Sequence, residues 1–389
     1  MKSLVGRSFD ITVLNEQKRK KTRFVILAIA CILVCAAIFY LGFRWFINRQ
    51  YDSYQVERSV YVKNGNSMSY EAYDDGIIRY GRDGVTALDR KGNSIWSGSY
   101  EMANPKADTC GSSVVIADIG GDSLYIYRGE GTGTGFTVDY PIVQACISNQ
   151  GVIAVLMEES SSNTIALYNP FDKAEVLLAE IPTNVEDGYP VSIDLSPDGS
   201  SVVASYLNVT TGAAQSHVAF YNFTEVGKNA NCLVGAHNYK ETLISEVQFM
   251  GNSSVCLFGE KGIYLWTNMR QPEAVAAKEF EETIQSAFID EGHVGVLLKK
   301  DDAKNIMRLY DTAGNNTLTT EVDASFTHVQ ICGDEILLNS AESCAIYRTN
   351  GVRKFSRDLK SKISYFFPTS KKNYYFFVQD SKIKVIKLK

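Results

Sequence analysis

The chain is poor in the side chains that metal and acyl-transfer chemistry rely on. It has four histidines, His217, His237, His293 and His328, in 389 residues. No two of them stand at metal-ligand spacing, and none sits by a Ser or Cys in a nucleophile motif. Eight cysteines include no Cys-x-x-Cys pair and none beside a histidine, so zinc has no signature here. Most of the six outside the N-terminal region (Cys110, Cys146, Cys232, Cys256, Cys332, Cys344) lie in apolar, strand-like runs such as Val255-Cys256-Leu257-Phe258. They read as small buried hydrophobes, with one disulfide open to them in an oxidising compartment. No catalytic, cofactor-binding or metal-binding residue is assigned, and neither a cofactor nor enzymatic activity is expected. Proline is scarce too, 8 against 29 glycines, a balance suited to many tight turns.

Long apolar runs are absent with one exception. Residues 24–43, FVILAIACILVCAAIFYLGF, are free of charge and at helical rise match a hydrocarbon core of about 30 Å. Residues 1–23 before them carry seven Lys and Arg against Asp10 and Glu16. On the other side Arg44 and Arg49 are soon joined by Asp52 and Glu57. The positive-inside rule therefore places 1–23 as a cytoplasmic tail, 24–43 as a transmembrane helix, 44–53 as a linker and 54–389 as an extracytoplasmic domain at the cell membrane. Tyr40, Trp45 and Phe46 suit an interfacial belt. A cleaved signal peptide is disfavoured by the length of the run and the lack of a small-x-small site. Cys35, preceded by Val34 in mid-run, does not suit lipidation. The segment beyond the tail is net acidic, which argues against nucleic acid as a partner; the lipid bilayer is the expected partner of the helix.

The rest of the chain repeats. Gly76 to Trp96 reads as three short strands bounded by Gly, Asp or Asn, an antiparallel meander. An apolar residue, an aromatic and a turn-opening polar residue then recur as Ile126-Tyr127-Arg128, Leu167-Tyr168-Asn169, Phe220-Tyr221-Asn222, Leu265-Trp266-Thr267, Leu309-Tyr310-Asp311 and Ile346-Tyr347-Arg348, with Leu88-Asp89-Arg90 as a divergent first copy. First strands are expected near Met68, Ala107, Val143, Val191, Val247, Gln285, Thr327 and Ile363, at intervals that suit four-stranded blades. The last unit has room for three strands only. A strand at Tyr54 to Val62 supplies the fourth and closes an all-β propeller of eight blades, or seven if one long interval is over-counted.

The segment Tyr80-Gly-Arg-Asp-Gly84-Val-Thr-Ala-Leu88-Asp-Arg-Lys-Gly92 through Trp96 resembles the quinoprotein-type propeller repeat, and Leu195-Ser-Pro-Asp-Gly199 resembles the interstrand turn of WD-repeat and TolB-like propellers. As a whole, basic tail, single helix and divergent propeller resemble a clostridial family of membrane-anchored propellers of unknown function. That resemblance implies a bacterial cell-surface protein.

Enzyme signatures of such propellers are missing. Only Trp96 and Trp266 of the three tryptophans lie in the repeat region, so a cofactor sandwich lacks its indoles; both are expected to pack between blades. Asp89-x-x-Gly92-x-x-x-Trp96 does not have the D-x-G-x-x-W spacing of a sialidase Asp box. Asp301-Asp302 and Glu281-Glu282 read as solvated surface, and Gly129-Glu-Gly-Thr-Gly-Thr-Gly135 as a hairpin tip, since no helix follows to complete a phosphate cradle. Sequons occur at Asn208, Asn222, Asn252 and Asn315. The expected function is binding or scaffolding of an envelope protein, peptide or glycan; the alternative is a hydrolase or lyase sited at the channel.

Overall fold

A computed structural model describes residues 24, 26–42, 44, 48–62, 67–160, 162–183, 188–209, 214–228 and 231–389. The basic tail, Val25, Phe43 and residues 45–47, with Trp45 and Phe46 of the expected belt, lie outside these residues. The chain forms two compact units, 1–50 and 51–389. In the first, residues 26–42 are helical and exposed. Among the described residues no helix is long and apolar enough to cross a membrane; the described run is seventeen residues, against about 20 for a full span.

The second unit is an eight-bladed all-β propeller in which every blade is a four-stranded antiparallel sheet. Blades 1 to 7 occupy 69–99, 105–137, 142–183, 189–239, 244–279, 284–323 and 328–358 in chain order. Blade 8 combines Tyr365–Pro368, Tyr374–Gln379 and Lys382–Leu388 with Tyr54–Tyr61 from the start of the unit. Middle strands such as Ile153–Glu158 and Ser254–Gly259 are buried almost without interruption, because a blade packs both faces against its neighbours. Outer strands such as Ser94–Ser99 and Leu177–Thr183 alternate instead between exposed and half-buried positions.

The six recurring aromatics share one site. Each stands on the third strand opposite a Val or Ile of the second: Tyr127 faces Val114, Tyr168 faces Ile153, Tyr221 faces Val202, Trp266 faces Val255, Tyr310 faces Val294 and Tyr347 faces Ile336. Such aromatic–β-branched pairs are favourable cross-strand neighbours. Leu88 opposite Ile77 fills the place in blade 1, and in blade 8 the pair is inverted, Ile386 facing Tyr375. At the same register the outer strand bulges. Trp266 faces Ala274 while Leu265 faces Ala276, which leaves Val275 unpaired. Ile95, Leu178, Val234, Thr317 and Lys354 are the extra residues of blades 1, 3, 4, 6 and 7. A bulge twists an outer edge away from pairing with another chain.

The third-to-outer turns of blades 1 and 6 are built alike. Asp89 Oδ1 accepts from the N–H groups of Lys91 (2.9 Å) and Asn93 (2.8 Å), and Asp311 Oδ1 from those of Ala313 (3.0 Å) and Asn315 (2.8 Å). Gly92 and Gly314 both take φ +78°, a left-handed conformation that costs glycine little.

Ring closure is antiparallel pairing of Tyr54–Tyr61 with Lys382–Leu388, from Tyr54 opposite Leu388 to Tyr61 opposite Lys382. The ring extends past both strands, with Tyr51 bridging to Phe355 and Lys389 N–H donating to Ser53 O at 2.9 Å. At the seam between blades 7 and 8, Lys354 is fully buried with its ammonium on Glu335 and on the Tyr375 hydroxyl (2.7 Å). Deleting 383–389 is expected to abolish the single cooperative melt of the propeller by calorimetry; loss of protection confined to Tyr54–Tyr61 in hydrogen exchange would contradict ring closure as the source of stability. Trp266→Ala should lower stability by about 3–5 kcal/mol in denaturant titration, the usual cost of removing a large core aromatic.

Candidate functional site

The first strand of every blade lines the central channel, and its inner edge has no fifth strand to pair with. Side chains of one blade fill that need for the next. Asp108 Oδ2 accepts from Ile147 N–H at 2.8 Å, and Asp194 Oδ2 from Phe249 N–H at 2.6 Å. Gln144 takes both groups of Ile193, its Nε2 donating to the carbonyl (2.8 Å) and its Oε1 accepting from the amide (3.0 Å). Ser192 Oγ accepts from Val247 N–H at 3.3 Å, and Gln330 donates to Phe366 O. The strand pairings put Glu71, Asp108, Cys146, Asp194, Gln248 and Gln330 at one register of six blades, opposite Ile78, Val115, Ala154, Val203, Cys256 and Leu337.

Along blades 2 to 5 the channel opens into a cavity of about 590 Å³, lined among others by Lys106, Asp108, Cys110, Gln144, Cys146, Asp194, Glu246 and Phe249. Its carboxyl groups hold protons unusually well. Burial pushes Asp194 up to about 7, with the Asp108 charge adding to it against the bonds from Phe249 and Leu195 N–H. Burial likewise raises Asp108 to about 6; outside the cavity lining, on the first strand of blade 1, Glu71 is raised to about 7 by burial with the Asp108 charge adding to it. Glu246 is raised by burial as well. The Cys146 thiol is driven upward by burial and then by Asp194 and Asp108, and Cys110 is pushed to about 12 by the same influences. Both stay thiols at neutral pH and make poor nucleophiles.

Where the inner strands begin, the channel mouth is apolar. Val143 and Val191 are unpaired bulge residues of blades 3 and 4 and line the cavity. They are 38% and 42% exposed, and Tyr140 and Tyr189 near the same strand starts are 39% and 64% exposed. These are four of the twelve large hydrophobics exposed on the described part of the propeller, and of the twelve only Val143 and Val191 line the cavity.

The residues singled out in the sequence lie elsewhere. Trp96 stacks on Tyr127 of blade 2 at 4.1 Å, and Trp266 packs on Phe220 of blade 4 at 5.0 Å and donates to Tyr239 OH at 2.9 Å. Both indoles therefore pack between blades. His217 meets Asn238, His237 the Trp266 ring and His293 Asp290, while His328 borders a separate cleft with Phe366. Among the described residues no group of three His, Cys, Asp or Glu could hold a metal. Asp301 caps its own turn through Ala303 and Lys304 N–H, and Glu282 pairs with Arg308 at 2.8 Å. Gly129 and Gly131, both at positive φ, sit in the turn before Thr134–Thr137. Asn222 is buried against Ser201 and so is no glycan acceptor. All eight cysteines are free, and only Cys146, Cys256 and Cys344 are buried; Cys332 ends its strand next to a turn and is exposed, contrary to the buried role expected of most of them.

The channel carboxylates went unmarked in the sequence reading. Their signal is an acidic residue inside an otherwise apolar or neutral first strand, just before the hairpin turn, as in Ile193-Asp194-Leu195. A carboxyl raised in the folded state contributes stability that is complete below its unfolded value near 4 and is lost as pH climbs through 6 to 7. The melting temperature should therefore fall by several degrees between pH 5 and pH 8. Asp194→Asn keeps an oxygen for Phe249 N–H without a charge to desolvate, and its melting profile should be flatter; parallel profiles for variant and parent would contradict this origin.

No curated protein matches the sequence. Among solved structures, the chain is similar to BamB from Moraxella catarrhalis, with 13% identity and TM-score 0.53 over 86% of this chain and 100% of that one. It is also similar to Saccharomyces cerevisiae Sqt1, with 10% identity and TM-score 0.54 over 88% and 99%. At such identities the likeness is one of fold. A family model matches residues 47–388, and the chain thus belongs to the Family of unknown function (DUF5711).

Proposed function

We propose that this protein is a membrane-anchored binding or scaffolding module. Residues 24–43 span the bilayer with the basic tail in the cytoplasm, and the propeller outside holds a protein or peptide of the cell envelope at the rim of blades 3 and 4. The observation that carries the reading is the exposed pair Val143 and Val191 lining a cavity whose inner carboxylates already serve backbone N–H groups, with exposed Tyr140 and Tyr189 just before them in the chain. Concentrated apolar surface on a folded domain marks an interaction site, and tyrosines suit one because they add area at little entropic expense. The aromatic rim also suits a glycan.

The second reading, a hydrolase or lyase, draws on Glu71, Asp108 and Asp194, whose proton affinities near 6 and 7 are those of general acids at neutral pH. Against it, Asp108 and Asp194 spend oxygens on neighbouring strands, and turning them to a substrate would leave Ile147 and Phe249 N–H unpaired. The anchor reading draws on the uncharged run 24–43, its flanking charges and open apolar side chains such as Phe24, Ile32 and Phe39.

Protease added to intact cells should digest the chain beyond residue 50 and spare the tail. A C-terminal tag protected in intact cells would reverse the orientation. For the rim, a photo-crosslinker at Tyr189 in the native cells should give one discrete adduct that Val191→Asp abolishes, while a crosslinker at Asn350, on an opposite turn, gives none. An adduct indifferent to Val191→Asp would remove the rim from the interface, and turnover lost in Asp108→Asn without loss of the adduct would support the enzyme.

A further inference from the structure

Charge is divided unevenly along the propeller. Residues 51–350 carry nineteen Lys and Arg against forty Asp and Glu, a net −21, whereas 351–389 carry eleven against Asp358 and Asp380, a net +9. That last stretch supplies the outer strand of blade 7 and three strands of blade 8. One of its cations, Lys354, is consumed inside the fold by Glu335. Several of the others collect where the chain joins the propeller, at 51–53. Asn373 Nδ2 donates to Tyr51 OH at 2.9 Å, Arg357 Nη1 to Asp52 O at 2.8 Å and Lys389 N–H to Ser53 O at 2.9 Å.

Next to Asn373, two ammonium groups share one ring. Lys371 Nζ lies 3.9 Å and Lys387 Nζ 5.7 Å from the Tyr374 centroid. Cation–π attraction holds each, but the two repel one another, and an anion bound by either or both would relieve that repulsion. Among the described residues no Asp or Glu side chain is ion-paired with Lys371, Lys387, Lys389 or Arg357; of the acids nearby, Asp75 is met by Arg90 at 4.0 Å and by Ser370, and the Lys389 terminal oxygen accepts from Ser53 Oγ at 3.4 Å. On an otherwise acidic propeller this end of blade 8 is a cationic surface with an aromatic at its centre.

We infer that it binds the phosphate headgroups of anionic phospholipids in the bilayer. The inference rests on the reading of 24–43 as a membrane span. Seven residues, 44–50, reach at most roughly 25 Å when extended, so a span ending at 43 keeps Tyr51 and the cations around it within reach of the headgroup layer. Basic residues beside a span are drawn to an anionic surface over about a Debye length. The rest of the propeller, net negative, is repelled by that surface, so attraction at blade 8 and repulsion elsewhere would hold the domain in one orientation and leave the channel mouth free.

The test uses the full chain in nanodiscs of phosphatidylcholine alone or with phosphatidylglycerol, followed by hydrogen–deuterium exchange. With phosphatidylglycerol, amides of 369–374 and 387–389 should exchange several-fold more slowly, the protection should fall in high salt, and Lys371→Glu with Lys387→Glu should abolish it. The milder Lys371→Gln with Lys387→Gln should halve it or more with an unchanged melting temperature, which separates charge from folding. Equal exchange in both lipids, with the chain incorporated, overturns the surface and leaves the anchor standing. Failure to incorporate overturns both. Equal protection by soluble polyphosphate added to phosphatidylcholine discs assigns the patch to a soluble polyanion and overturns the lipid.

Discussion

Seven residue pairs join Tyr54–Tyr61 to Lys382–Leu388, and they alone supply the fourth strand of blade 8 that closes the ring. Bringing ends roughly 330 residues apart together costs about 5 kcal/mol in chain entropy. In return, blade 8 gains its fourth strand and both of its faces are covered, blade 7 on one side and blade 1 on the other. Without the closing strand, Lys382–Leu388 would present a free edge, and the aromatic cluster of Phe366, Phe367, Tyr375, Phe376 and Phe377, all buried, would lose part of its cover. The seam also contains Lys354, a bulge residue buried on Glu335 and Tyr375. Desolvating a lysine is expensive even when it is paired, and burial lowers its proton affinity.

Closure creates the channel, and the channel creates a second demand. Eight first strands each turn an edge inward that no further strand pairs with. Asp108, Gln144, Ser192, Asp194 and Gln330 meet part of that demand across blade boundaries. The arrangement tightens the ring from inside while it buries carboxyl groups near one another, and burial first, then the neighbouring charge of Asp108, raises their proton affinity. Structural bonding and acid–base character are thus two results of one placement, and raised carboxyl groups in this channel are not by themselves a catalytic signature.

The outer rim meets the opposite problem, long edges facing solvent, with one bulge per blade in seven of the eight sheets, blade 8 shifting between Val56 and Arg58. With edges blunted outside and occupied inside, what is left for recognition is the loop faces. There the molecule is asymmetric: apolar bulges at the start of blades 3 and 4, and cations on blade 8 beside the point where the chain joins the ring.

Much of the architecture was legible in the sequence because it is periodic. First strands expected near Met68, Ala107 and Gln285 begin at Ser69, Pro105 and Ile284, and the aromatic register held in all six copies, since each aromatic needs a β-branched partner on the strand beside it. The choice between eight blades and seven needed the structure: the pairing makes each interval, the long 189–239 included, one complete four-stranded sheet, eight in all. The site was the least legible part. An Asp in a first strand reads as a solvent-facing residue until the ring is closed, because its partner, Phe249 N–H for Asp194, lies 55 positions away on another sheet. Local sequence set strand, turn and bulge through side-chain size and backbone freedom; which polar groups meet, and how strongly they hold their protons, was decided only when closure brought the inner edges of eight blades around one channel.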